Sequence, residues 1–229
     1  MISKVLYTVT LVFATFFLFG QGQDAQLNMK IMKENAWKKN LESYPSHEAF
    51  FQNEKGNLGI TKAEDFKYAK AVQTNGGWKH TKYQQYHQEI PVLNGIYILH
   101  EKNGILKKGN GNVIPNLTVP TQPKISDKDI VELAKDYALA EVKKENGDQL
   151  PDGLTRNAIK FTQPELYIAD KFYPRNSGQY TLAYQFNLEF NAYPPKNDQY
   201  TIDATTGKII EVISQVCHLH VDGLSLIHI

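Results

Sequence analysis

Tyr180-Thr181-Leu182-Ala183-Tyr184-Gln185-Phe186-Asn187-Leu188-Glu189-Phe190 decides the fold of this 229-residue chain. Every even position is apolar, while the odd positions between them carry Thr, Ala, Gln, Asn and Glu. Successive side chains of an extended strand point to opposite faces, so a period of two predicts a strand with one buried and one wet face. Downstream, Tyr200-Thr201-Ile202 and residues 209–216 read as further strands, joined across Asp203-Ala204-Thr205-Thr206-Gly207-Lys208. Asp203 is suited to accept from the turn backbone there, and Gly207 to supply a left-handed residue. Upstream, Ser126 with Asp129 three residues on is a helix start, and Ile130, Leu133, Ala134 and Tyr137 follow on one stripe. Residues 125–216 therefore predict a helix packed on an antiparallel sheet, an α+β layer.

The preceding half is punctuated differently. After Asn75-Gly76-Gly77 the chain reads as extended over residues 78–90, 95–101 and 105–110, with Asn94-Gly95 and Asn103-Gly104 between runs. Asn and Gly tolerate the positive φ of tight hairpin turns, so this half predicts an antiparallel meander. Before it, Met29, Ile31, Met32, Ala36, Trp37 and Leu41 predict a helical face that Tyr44-Pro45 ends. Thr61-Lys62-Ala63-Glu64 has capping-box spacing and predicts a second helix running through Phe66 and Ala69-Lys70. Residues 113–123 hold Pro115, Pro120 and Pro123 and read as a linker. The fold class expected is α+β, as two small units, each an antiparallel sheet packed with helix.

Composition narrows the function. Lys+Arg at 25 against Asp+Glu at 24 leaves a formal charge of +1, which offers no field to draw nucleic acid or an anionic membrane. A lone cysteine, Cys217, forms no internal disulfide, so stability is expected from packing. Residues 1–22 read as a secretory signal peptide: Lys4, an apolar run over 5–19, then Gly20-Gln21-Gly22. The run, broken by Thr8, Thr10 and Thr15, falls short of the ~20 apolar residues of a membrane span. The expected location is secreted, with no membrane contact after signal cleavage.

Catalytic constellations are missing from the sequence. A zinc protease helix needs His-Glu-x-x-His, two imidazoles one turn apart with a glutamate to activate water. His47-Glu48-Ala49-Phe50-Phe51 has phenylalanine in place of the second ligand and reads as a solvated segment. No Gly-x-Ser-x-Gly elbow or phosphate loop is present. Asp127 and Asp129 are explained by helix-start electrostatics, and the aromatics of 180–190 by a core. The densest set of metal-ligating types is Cys217, His218 and His220 with Asp222, but side chains two apart on one strand seldom close a tetrahedral site. An alternative has Cys217 or His218 touching a zinc held by another domain. His80, His87 and His100 fall on or beside the meander, where surface histidines are the default. Asn116-Leu117-Thr118 matches a glycosylation acceptor. The expectation is no catalytic, cofactor-binding or metal residue in this chain.

Thr81-Lys82-Tyr83-Gln84-Gln85-Tyr86-His87-Gln88-Glu89-Ile90-Pro91-Val92, followed by Tyr97-Ile98-Leu99-His100-Glu101-Lys102-Asn103-Gly104, resembles the fungalysin/thermolysin pro-peptide domain. Glu89 stands where that family usually has glycine. Residues 125–140 and 180–216 resemble the PepSY-type domain that follows it in such precursors. The resemblance spans residues 57–216. It implies the pro-region of a secreted thermolysin-like zinc metalloprotease, an inhibitor and folding assistant of the catalytic domain in cis, with zinc only in that domain. The alternative is a free-standing exported inhibitor or binding protein acting in trans. The organisation expected is signal peptide 1–22, helical region 23–56, pro-peptide-like domain 57–114, linker 115–124, PepSY-like domain 125–216 and a junction 217–223. Residues 224–229, Leu-Ser-Leu-Ile-His-Ile, read as translated sequencing adapter, so the natural chain is expected to continue into a protease.

Overall fold

Hairpin turns organise the first half of the chain. The computed structural model describes residues 37–60, 64–172, 177–192 and 195–216. In chain order these form β1 (Trp37–Lys39), α1 (His47–Glu54), β2 (Glu64–Thr74), β3 (Trp78–His87), β4 (Ile90–Lys102), β5 (Ile105–Asn112) and α2 (Asp127–Glu145). There follow β6 (Lys160–Phe161), β7 (Glu165–Asp170), β8 (Tyr180–Phe190), β9 (Lys196–Asp203) and β10 (Ile209–Ser214). The class is α+β, with antiparallel pairing dominant. Contacts gather the described residues into two units. One runs through Pro123 and includes Leu166–Ala183; the other holds Lys124–Glu165 and the described residues from Tyr184 onward.

In the first unit β2, β3, β4 and β5 pair antiparallel in sequence order, and β1 adds to β5. The β4–β5 turn is Asn103-Gly104 at φ 51 and 78, as expected of a two-residue hairpin with positive φ at both positions. The β3–β4 turn has the same form but is built from Gln88 and Glu89, at φ 47 and 70. A left-handed conformation costs an L-residue about 1–2 kcal/mol. The Glu89 side chain pairs with Lys67 but is 83% exposed, so that contact adds little. Glu89→Gly is therefore expected to stabilise the protein by about 0.5–1 kcal/mol, after the extra chain entropy of glycine, read as a higher urea midpoint. An unchanged or lowered midpoint would contradict the strain at this turn.

Asn94-Gly95 punctuates the extended run, as its sequence suggests, but makes no hairpin: Asn94 takes a left-handed φ of 61 and the β3–β4 register shifts beside it. It lies within β4, where a Cβ on Gly95 would come within 2.9 Å of Gln85 Cβ and 3.0 Å of Val92 Cβ, so glycine is there for close approach. The helix expected from Thr61 is corrected: Glu64–Thr74 is a strand paired with β3 along its length. Its helix-favouring lysines and alanines are overruled by that pairing and by Phe66, which stacks on Phe51 at 4.7 Å. Of the earlier helical face, residues before 37 lie outside the described residues. Trp37–Lys39 is a strand, and Leu41–Ser43 a single 3-10 turn that ends at an extended Tyr44.

The meander's inner face is covered by α1. Ser46 accepts from the Ala49 amide at 3.1 Å and caps the helix, which turns Phe50 and Phe51 inward against Leu41, Tyr83, Tyr97, Leu99 and Leu106. His47-Glu48-Ala49-Phe50-Phe51 is thus no solvated segment but the helix that closes this core. Residues 113–119, read as linker, are packed down: Val113, Ile114, Leu117 and Val119 are buried. Gln85 holds Ile114 by both backbone groups, at 2.7 and 2.9 Å, and the buried Glu64 carboxylate accepts from the Leu117 amide at 2.7 Å. Pro115 and Pro120 have no N–H to give a ladder, but the apolar residues beside them still enter the core. Strand β7 meets β4 in parallel at Val92 and Ile168.

In the second unit β10 pairs antiparallel with β9, and β6 with the end of β8. Ser126 caps α2 reciprocally: its Oγ accepts from the Asp129 amide at 3.2 Å and donates to the Asp129 carboxylate at 2.7 Å. The buried stripe is Ile130, Val131, Ala134, Ala138 and Val142. Tyr137, expected on that stripe, is instead 40% exposed and meets Tyr200 edge-on at 6.3 Å. The 203–208 turn matches its reading: Asp203 accepts from Thr205 and Thr206 amides at 2.7 and 2.9 Å, and Gly207 sits at φ 71. On β8 from Tyr184 onward the alternation holds, with Tyr184, Phe186, Leu188 and Phe190 buried and Glu189 exposed.

Candidate functional site

Open strand edges are the most reactive surfaces of this architecture. Unpaired N–H and C=O groups along an edge are a template for another chain. Among the described residues β10 pairs only with β9, leaving its other side free. Beside it lies an open cleft of about 600 Å³ lined by Leu133 and Tyr137 of α2 and by residues 207–212. A Cβ on Gly207 would come within 2.9 Å of Leu133 Cδ1, so the turn and helix close one end of this cleft tightly. Val212 and Ile213 of β10 are 37% and 38% exposed, large apolar side chains standing in water beside the free edge. Burial pushes the Glu211 carboxyl up from its ordinary value. A partner strand laid here gains ladder hydrogen bonds and apolar cover together. In the first unit β2 is a second such edge, pairing among the described residues only with β3 and exposing Tyr68 and Val72.

The sequence-derived candidates fall elsewhere. Cys217, His218 and His220 lie outside the described residues. Among the described residues no three His, Cys, Asp or Glu side chains come together as metal ligands. His80 and His100 are cross-strand partners with their Nδ1 atoms 2.6 Å apart, whereas His87 is buried and places Nε2 3.3 Å from the Val119 carbonyl. Burial holds His100 below the ordinary imidazole range, with the Asn110 hydrogen bond opposing. His47 joins α1 to the sheet: Nδ1 is 2.6 Å from the Tyr83 hydroxyl and Nε2 is 3.4 Å from Glu101. Burial lowers the pKa of His47, and it pushes the Tyr83 phenol up to about 12. Asp127 and Asp129 serve the start of α2, and Asn116 accepts no special geometry beyond a positive φ of 54. The β10 edge is not legible in a local window of sequence; the paired apolar residues Val212-Ile213 after the 203–208 turn are the signal it leaves.

Comparison with known proteins defines the class. The chain carries two propeptide domains: the Fungalysin/Thermolysin Propeptide Motif matches residues 64–113, and the Peptidase propeptide and YPEB domain matches residues 124–213. It is pro-region sequence of the thermolysin-like protease type. Thermostable neutral protease NprT of Geobacillus stearothermophilus is 30% identical over 59% of this chain, and bacillolysin of Bacillus cereus 28% identical over 73%. Bacillolysin of Bacillus subtilis strain 168 is 26% identical over 84%. The chain spans 23%, 28% and 36% of the lengths of these three relatives. Among the described residues no helix is long and apolar enough to cross a membrane.

Proposed function

We propose that this chain is the exported pro-region of a secreted thermolysin-like zinc metalloendopeptidase, acting in cis as inhibitor and folding template of the catalytic domain. The observation that carries the reading is the tandem of two propeptide domains, 64–113 then 124–213, in a chain whose relatives are named as proteases. In this reading residues 57–114 and 125–216 act as two small α+β domains joined through 115–124, and residues 1–22 direct export. Residues 217–223 lead into the catalytic domain, which alone holds zinc and performs hydrolysis. The free β10 edge and its apolar cleft are the template: a nascent strand of the protease pairs there before its own sheet is complete.

The test has a genetic and a biochemical arm. The reading frame beyond codon 223 is expected to encode His-Glu-x-x-His. Refolding of that catalytic domain from denaturant is expected to yield active protease only when residues 23–223 are present, and excess pro-region is expected to inhibit it. Val212→Asp with Ile213→Lys is expected to weaken both effects while the far-ultraviolet spectrum stays unchanged. A frame without the zinc motif, together with inhibition of exogenous thermolysin-like proteases, would transfer the reading to an inhibitor acting in trans. Equal refolding yield with and without the pro-region would overturn the templating role.

A further inference from the structure

On the first unit's outer face, opposite α1, the structure assigns a metal site. We propose that His80 and His100 form a two-imidazole chelate for a first-row transition-metal dication, Cu2+ in preference to Zn2+ or Ni2+. They are directly opposite on β3 and β4, with ring centroids 4.8 Å apart, planes at 74° and Nδ1 atoms 2.6 Å apart. The far nitrogen of each ring is also engaged. His100 Nε2 meets the Asn110 side-chain oxygen, and His80 Nε2 lies 3.1 Å from the Thr74 hydroxyl. Outer partners of this kind fix the tautomer and orientation of ligating histidines.

The proton bookkeeping decides what fits between the rings. An oxygen acceptor at Asn110 requires His100 Nε2 to carry the proton, so the Nδ1 lone pair faces His80. Without metal, the Thr74 hydroxyl donates to His80 Nε2, and His80 Nδ1–H donates to His100. Turning that hydroxyl so that it accepts moves the His80 proton to Nε2 and leaves both Nδ1 lone pairs free, facing each other across the gap. With centroids 4.8 Å apart and Nδ1 atoms 2.6 Å apart the two nitrogens face each other almost head-on, so two metal–nitrogen bonds of about 2.0–2.1 Å near a right angle, spanning about 3 Å, require each ring to turn until the lone pairs converge.

Both rings are half-buried, which leaves the remaining coordination positions to water or an anion. Trp78 lies parallel to His80, at 5° and 6.2 Å between centroids, and walls one side. Imidazole donors suit copper, nickel and zinc, and Cu2+ stands highest in the order of stabilities. Lys102 and Lys108, each 5.6 Å from the Trp78 ring centre, oppose a dication and favour an anionic co-ligand on the metal.

The full chain carrying Cys217→Ser, His218→Ala, His220→Ala and His228→Ala, free of any affinity tag, removes the cysteine and histidines of the tail as competing ligands. Titration with Cu2+ alone, followed by calorimetry and by nitrogen hyperfine structure in the electron paramagnetic resonance spectrum, is expected to show one equivalent bound through two nitrogens. His80→Ala or His100→Ala is expected to abolish that equivalent, and Asn110→Ala to weaken it about tenfold. Retained binding in both histidine variants, with unchanged circular dichroism, would overturn the site. Should those variants fail to fold, Zn2+ added to 15N-labelled wild type still decides: shifts at Nδ1 of His80 and His100 support the chelate, and their absence refutes it.

Discussion

Phe186→Asp is expected to abolish the cooperative thermal transition of the second unit and collapse the dispersion of its amide resonances. Phe186 is 2% exposed, and its ring lies near-parallel to Tyr200 with centroids 6.2 Å apart. Tyr200 in turn meets Tyr137 of α2, so Phe186 stands beneath the contact between helix and sheet. Losing the phenyl ring removes about 2–3 kcal/mol of burial, and an unpaired carboxylate in its place adds several kcal/mol more. A domain's whole margin is about 5–15 kcal/mol, so the two together consume most of it. Glu189 of the same strand is exposed, and Glu189→Ala is expected to change stability by no more than about 0.5 kcal/mol. Melting curves of the two variants are compared by circular dichroism. A Phe186→Asp curve that overlays the wild type would place Phe186 on the wrong face of β8.

That face was legible because β8 has one dry and one wet side over most of its length. The alternation fails as a guide at Thr181 and Ala183, both buried although they occupy the polar register. Hairpin chemistry was legible at Asn103-Gly104, where the residues advertise positive φ, and illegible at Gln88-Glu89, where the same geometry is imposed on residues that resist it. Strand β2 was misread because Thr61 to Glu64 imitates a helix start and lysine and alanine favour helix. Its identity is settled by a partner strand, which no local window contains. The His80–His100 pair illustrates the same limit for a site. Both histidines were visible, but their opposition depends on the β3–β4 register, fixed by the turn at Gln88-Glu89 and a shift between Gln84 and Tyr86. The free β10 edge is likewise a property of sheet order.

Phe50→Ala is expected to cost about 3–5 kcal/mol and to free α1 from the sheet. Phe50 is fully buried and lies between three rings: Tyr44 at 5.5 Å, Phe51 at 5.2 Å and Tyr97 at 5.7 Å. A helix of eight residues has no stability of its own, since isolated helices below about 12–15 residues are marginal in water. Tertiary packing through Phe50 and Phe51 is therefore what keeps α1 helical, and the Ser46 cap alone does not replace it. Release of α1 also withdraws His47 from the Tyr83 hydroxyl, now 2.6 Å from its Nδ1, and opens Tyr83 to water. Burial holds that phenol up to about 12, so its ionisation is expected to move back toward the ordinary tyrosine value of about 10. Urea unfolding measures the first effect, and alkaline difference absorbance at the tyrosine band measures the second. A stability loss below about 1 kcal/mol, well under the usual cost of such a truncation, with the alkaline titration unmoved, would show that α1 is not seated by Phe50.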